Sequence, residues 1–354
     1  MLKYLTLYIK FFLNSIMELH INNIKNDLKK DDFQAYLLTK FTNIEYISGY
    51  KPTSFGFCII KDEPVIYTSG IDKQLANRHS SIEIKEYESI DVIVEDLKEE
   101  GVKNLAIEPS LPFNIYSKFR DDFKIDSKNY IDKQRMIKTP SEIEKITKAT
   151  EIAQKSFLEL NILNNPGSEK EIAFDLFRLM VENGASAESF ETIVTSGANS
   201  SLPHAIPQDK KLSQPVLIDW GAIYQGYCSD NTRTMVYTEP QHEIWDIVAE
   251  AHHKSIKAIK PGMKCCEVDK VARDIIDDYG YGYHFIHSTG HSLGLDIHET
   301  PCFSPHDDTV IEKGMVITVE PGIYFEGVFG VRLEDTIEIS KKGNIIGNLP
   351  LKIE

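Results

Sequence analysis

The chain has 354 residues, 42% of them hydrophobic and 26% charged, which is enough for two domains with cores of their own. A net charge of −15 and a pI near 5.3 argue against nucleic acid and against an anionic membrane surface as partners. The five cysteines are odd in number and lack zinc-type spacing, as expected of a reduced, cytoplasmic protein.

Residues 1–16 form an apolar run interrupted by Lys10, too short for a membrane span and without a small-residue cleavage site. They read as an upstream extension before Met17 or as an amphipathic first helix. From Met17 to about Arg135, short buried strands are expected at Ala35–Thr39, Phe55–Ile60, Pro64–Thr68 and Leu105–Glu108. A helix is expected over Asp91–Glu100, ended by Gly101. No metal or nucleophile motif falls in this third. Its expected role is a cap that narrows access to a site, or a structural or dimerising one.

Pro140 with Ser141 and Glu144 reads as a helix start of the capping-box type, which sets domains at 17–135 and 140–354. The helix carries an apolar stripe of Ile143, Ile146, Ala149, Ile152, Ala153, Phe157 and Leu160. Asn165-Pro-Gly167 then leads to a second box, Ser168 with Glu171, and a helix closing at Gly184. Lys260-Pro-Gly262 later leads through Glu267–Arg273 to Gly280, an echo that suggests a duplicated unit. His242, His252 and His253 follow a helical surface pattern and receive no role.

The chemistry concentrates in the last third. His287, His291 and His298 fall in one stretch broken by Gly290 and Gly294, which favours an extended segment over a helix. Acids close apolar runs at Val216-Leu-Ile-Asp219 and Met315-Val-Ile-Thr-Val-Glu320, and Asp230 opens another. Glycines between Asp219 and Asp230 allow a hairpin that sets both acids on neighbouring strands. Gly330–Ile339 alternates strictly, so one strand is expected to present Arg332, Glu334 and Thr336 on one face. Acids at the inner ends of apolar strands are costly to bury unpaired. Asp219, Asp230, His291, Glu320 and Glu334 are too oxygen-rich for structural zinc. They suit two divalent ions about 3.5–4 Å apart that activate water for hydrolysis.

Five segments in order resemble the signature of the pita-bread metallopeptidases, which include methionine aminopeptidase, aminopeptidase P, prolidase and creatinase. They are Ile-Asp219-Trp-Gly-Ala, Ser-Asp230-Asn-Thr-Arg-Thr, Thr-Gly-His291-Ser-Leu-Gly-Leu-Asp-Ile-His298-Glu, Val-Glu320-Pro-Gly-Ile-Tyr and Gly-Val-Arg332-Leu-Glu334-Asp-Thr. The resemblance runs from about Thr139 to the C-terminus, and Asn43–Tyr50 adds a weaker likeness to the creatinase-type N-terminal domain. It implies an α/β (α+β) fold: a pita-bread catalytic domain of two pseudo-symmetric halves with a curved antiparallel sheet, behind a smaller creatinase-like domain.

The resemblance also implies a homodimer, a peptide substrate with proline second, and Mn²⁺ as the ion, with Co²⁺ or Zn²⁺ as alternatives. His287 and His298 match non-ligand histidines that bind substrate and shuttle protons. Pro203-His204-Ala resembles a segment of the proline-specific members. Glu320 would take a proton from water, His298 would stabilise the oxyanion, and His204 would place the leaving side. Arg332 would pair with a carboxylate of substrate or site, and Thr232, two residues after Asp230, would support the ligands from behind. The segment after His298 carries no Arg or Lys to close the pocket, so the expected activity is that of an Xaa-Pro aminopeptidase. The alternatives are an Xaa-Pro dipeptidase, a metal-free creatinase-type hydrolase and a non-enzymatic peptide-binding module.

Overall fold

The computed structural model describes residues 17–162 and 167–353, so the expectations for residues 1–16 and for the turn at Asn165-Pro166 lie outside the described residues. The chain divides into two compact units, Met1–Gln134 and Arg135–Glu354. No helix among the described residues is long and apolar enough to cross a membrane.

The first unit opens with a helix over 17–30 (α1). Then come β1 (Ala35–Leu38), α2 (Phe41–Ser48), β2 (Gly56–Ile60), β3 (Val65–Thr68), α3 (Lys73–His79) and β4 (Glu83–Glu86). They are followed by α4 (Ile90–Glu99), β5 (Asn104–Ile107), α5 (Phe113–Phe119), β6 (Lys124–Ser127) and α6 (Tyr130–Met136). Six strands form one mixed sheet in the order β4-β3-β2-β1-β5-β6. The four inner strands are the apolar runs expected from sequence. The two edges, Glu-Ile-Lys-Glu and Lys-Ile-Asp-Ser, are charged, as edge strands usually are, and so escape a search for buried runs.

The second unit begins with α7 (Pro140–Leu160) and α8 (Glu169–Glu182). The α7 capping box is Thr139 with Glu142, two residues earlier than Ser141 with Glu144, because Pro140 takes the first helical position. The Ser168–Glu171 box stands as expected. Next come β7 (Ala187–Glu188), β8 (Ile193–Ser196), β9 (Val216–Trp220), β10 (Ala222–Tyr224), β11 (Tyr227–Cys228) and β12 (Asn231–Met235). A second helix pair, α9 (Glu239–Ala258) and α10 (Cys265–Asp278), leads to β13 (Gly290–Ser292), β14 (Glu299–Phe303) and β15 (Val316–Val319). The chain ends in β16 (Gly322–Phe325), β17 (Phe329–Arg332), β18 (Asp335–Ile339) and β19 (Gly343–Ile345).

The halves echo each other: helices of 21 and 14 residues in the first, of 20 and 14 in the second. The first pair shares a core with β8, β9 and β12 through Val194, Ile218, Trp220 and Met235. The second packs on β16 and β17 through Ile323 and Val331. Two expectations need correction. Gly330–Ile339 is not one strand: β17 pairs with β16, β18 pairs with β15, and the chain changes sheets at Leu333-Glu334. His252 is not on the surface. It is buried with its Nε2 3.3 Å from Asp335, because its turn of α9 faces β18 rather than solvent.

Candidate metal centre

Strand alternation aims the acids. In β9, Val216, Ile218 and Trp220 enter the α7 core, which turns Asp219 to the opposite face. Trp220 fixes that register by stacking on Phe157 at 4.4 Å and donating Nε1–H to the Ala153 carbonyl at 2.9 Å. Such a ring pair adds about 0.5–1.5 kcal/mol beyond its burial. β12 runs antiparallel to β9 with Thr232 opposite Asp219, and Asp230 stands just before it. His291 comes from β13, which packs closely because a Cβ on Gly290 would run into the Thr318 carbonyl. Glu320 follows β15 directly. Glu334 sits at the change of sheets, its backbone paired with Thr232.

These side chains converge. His291 Nδ1 lies 3.1 Å from the Ser292 carbonyl, which only accepts, so Nδ1 carries the proton and Nε2 presents a lone pair. That Nε2 is 3.5 Å from Asp230 Oδ2 and 3.3 Å from Glu320 Oε1. Ligand atoms of Asp230, His291 and Glu334 all lie within 4.8 Å of one another. The buried oxygens Oδ1 of Asp219, Oδ1 of Asp230 and Oε1 of Glu334 have no hydrogen-bond partner among the described residues. Burial, and after it the charges of neighbouring acids, hold Asp230 and Glu334 well above the usual carboxylate range. Burial pushes Glu320 up to about 7. Crowded carboxylates with orphaned oxygens and one available imidazole nitrogen fit divalent cations, which would satisfy those oxygens and offset the repulsion.

A chain of hydrogen bonds backs this cluster. Thr232 Oγ1 donates to Glu334 Oε2 at 2.7 Å, so it supports Glu334. Arg332 reaches Asp219 Oδ2 at 2.5 Å and the Tyr324 hydroxyl at 2.9 Å. Tyr324 in turn lies 2.9 Å from His287 Nε2, and His287 Nδ1 lies 2.8 Å from the Ser288 carbonyl. That carbonyl fixes the proton on Nδ1, so Nε2 accepts from Tyr324. Burial, with the charge of Arg332, pushes His287 down to about 3 and keeps its ring neutral. A cavity of about 500 Å³ opens on the cluster, lined also by His204, His298 and the apolar Phe190, Ile193 and Ile206.

Residues 144–341 match the model of metallopeptidase family M24. The chain belongs to metallopeptidase family M24. Residues 20–137 match the creatinase/prolidase N-terminal domain, so the M24 catalytic fold follows a creatinase-like α/β unit. An Xaa-Pro dipeptidase of Pyrococcus horikoshii is 39% identical to this M24 chain over 340 residues, covering 93% of this chain and 96% of that one. The solved prolidase of Pyrococcus horikoshii OT3 superposes with a TM-score of 0.89 at 38% identity, covering 94% of this chain and 98% of that one. An X-Pro aminopeptidase from Thermotoga maritima gives a TM-score of 0.88 at 32% identity, covering 94% and 98%.

All nine candidate residues of this M24 chain line the one cavity: Asp219, Asp230, His291, Glu320 and Glu334 with His204, His287, His298 and Arg332. They do not all meet. The tight group is Asp230, His291 and Glu334; Glu320 joins it through His291, while one oxygen of Asp219 is taken by Arg332. His298 packs its ring on His291 with centroids 4.4 Å apart. Tyr324 was missed by sequence reasoning, although it stands four residues after Glu320 in a quoted motif. An aromatic closing an apolar strand reads as core, and only its hydroxyl contacts reveal more.

Proposed function

We propose that this chain is a metal-dependent Xaa-Pro dipeptidase. The observation that carries the reading is the convergence of acids with orphaned oxygens on His291, in a chain similar over nearly its full length to an Xaa-Pro dipeptidase. Asp219, Asp230, His291, Glu320 and Glu334 would hold two divalent ions. Mn²⁺ is the proposed ion, as oxygen-rich ligation favours it. When bound, such ions supply the charge that polarises a scissile carbonyl and acidifies water. Glu320 lines the cavity beside His291 and would take the water's proton. His298 stands on the open side of His291 and donates to the developing oxyanion. Arg332, Tyr324 and His287 hold Asp219 in place from behind.

A dipeptidase also recognises a free carboxylate after proline. Of the basic groups lining the cavity, Arg332 is held by Asp219 and His287 by Tyr324, while His291 is assigned to the metals and His298 to the oxyanion, which leaves His204 to face that carboxylate. The comparisons therefore move the reading from the aminopeptidase expected on sequence to its alternative. One observation favours the aminopeptidase: His204, Ala205, Ile206 and Pro207 line both the cavity and a shallow depression beside it, room for a longer chain. Residues 17–135 and 140–354 are proposed as the cap and the catalytic domain of a cytoplasmic homodimer.

The test is hydrolysis of Ala-Pro by protein stripped of metal with a chelator and then titrated with Mn²⁺, Co²⁺ or Zn²⁺. Activity should vanish on stripping and return at about two ions per chain. Full activity in the stripped protein would overturn the reading.

A further inference from the structure

Between His291 and His298 the chain makes a tight turn whose two end rings touch, at 4.4 Å between centroids. Four charged side chains meet behind that turn. Glu299 accepts from Arg135 Nη2 and, at 3.1 Å, from Lys138 Nζ. Arg135 also donates to Asp296 at 2.7 Å, and Lys138 donates to Ser292 Oγ at 3.1 Å. Ser292 Oγ donates onward to the Val316 carbonyl at 2.9 Å, in the strand that leads to Glu320. Within the turn, Asp296 N–H donates to Glu299 Oε1 at 3.1 Å and Gly294 N–H to the Asp296 carbonyl at 3.0 Å. A Cβ on Gly294 would collide with the Glu299 carboxylate, so the turn is wrapped directly around that group.

The side chains of Lys138, Arg135 and Glu299 are 1%, 5% and 6% exposed and so lie out of water, while Asp296, at 22%, sits at the cluster's edge. Two cations meet two carboxylates, which balances the charge, and Glu299 accepts from Arg135, from Lys138 and from the Asp296 N–H. Such a group is rigid when complete and loosens when one member is lost. Both cations come from residues 135–138, ahead of the matched catalytic segment that starts at 144. Nothing in the ligand set calls for them.

We infer that Arg135 and Lys138 are positioning residues for catalysis: through Glu299 they fix the turn that sets His298 against His291. The inference rests on the proposed role of His298. Lys138 acts on both ends of the turn, on Ser292 beside His291 and on Glu299 beside His298. Losing its charge lets His298 drift while His291, anchored by Ser292 and Thr318, stays in place. Outer groups that orient active-site side chains typically matter about 10–100-fold.

The experiment compares full-length wild type, Lys138→Met and Lys138→Arg, all loaded with Mn²⁺. It measures kcat and KM on Ala-Pro, bound metal per chain, and amide hydrogen exchange over residues 292–299. Lys138→Met is expected to lower kcat about tenfold or more with KM within about threefold, at wild-type metal content. Exchange at 294–296 should quicken about tenfold while the α7–α8 core stays protected. Lys138→Arg should recover most of both. Unchanged exchange in 292–299, or a kcat within twofold of wild type, would overturn the inference, as would loss that merely tracks the unfolded fraction. Arg135→Lys, which keeps the charge, gives a second variant if Lys138→Met does not fold. If the wild type hydrolyses no Ala-Pro, the proposed function fails, and the exchange measurement still decides whether the clamp holds the turn.

Discussion

His287 Nε2 lies 2.9 Å from the hydroxyl of Tyr324. Because His287 Nδ1 is committed to the Ser288 carbonyl, the tyrosine proton points at the imidazole and its oxygen is free to accept from Arg332. The order of donors thus runs from Arg332 to Tyr324 to His287, with Asp219 held at the other side of the guanidinium.

Tyr324→Phe keeps the ring and deletes the link. Arg332 and His287 each lose a buried partner, so Asp219 loses part of its support. Activity or metal affinity is expected to fall about 10–100-fold with the fold retained, checked by kinetics and metal titration. An unchanged variant would mean that Asp219 needs no help beyond Arg332.

Glu334→Ala removes one of the crowded acids. It is expected to abolish Ala-Pro hydrolysis and lower bound metal, read by elemental analysis, while circular dichroism stays at wild type. The metal-free fold should tolerate the change, since Glu334 and Asp230 repel one another there.

His298→Ala is expected to lower kcat by about 10²-fold, the size of losing one oxyanion partner, with metal content unchanged. Metal loss instead would make His298 a ligand.

Much of this site could be read in the sequence because its acids break apolar patterns. Asp219 interrupts Val-Leu-Ile, Glu320 ends Val-Ile-Thr-Val, and a charge at such a place needs a partner. The edge strands β4 and β6 could not be read that way, since their burial depends on one neighbour only. Glu334 was placed on the correct side for an incomplete reason: alternation carries through Arg332, but the strand ends there and the Thr232 backbone takes over. Arg135 and Lys138 stand at the domain boundary, where the sequence shows no partner for either charge. Their burial comes from Glu299, more than 160 residues away along the sequence but in direct contact once folded, and no local pattern encodes that.

The acid stability of the fold should report on Glu299. Burial alone would raise its carboxyl pKa, but Lys138 and Arg135 hold it below the usual range. A carboxylate depressed in the folded state stabilises above its unfolded value, near about 4.3, and that stability is lost as pH falls through the folded value. The Tm gap between wild type and Glu299→Gln is therefore expected to be largest at neutral pH and to shrink below about pH 4. A gap independent of pH would show that the carboxylate is not the source.

The preference for a dipeptide is the central property of the proposed enzyme. Steady-state kcat/KM on Ala-Pro, Ala-Pro-Ala and Ala-Ala with Mn²⁺ tests it directly. Ala-Pro is expected to exceed Ala-Pro-Ala by about tenfold or more, the worth of one charge-assisted contact to the prolyl carboxylate, and Ala-Ala should be cleaved slowly. A higher kcat/KM for Ala-Pro-Ala would make the enzyme an aminopeptidase, and equal cleavage of Ala-Ala would contradict proline specificity altogether.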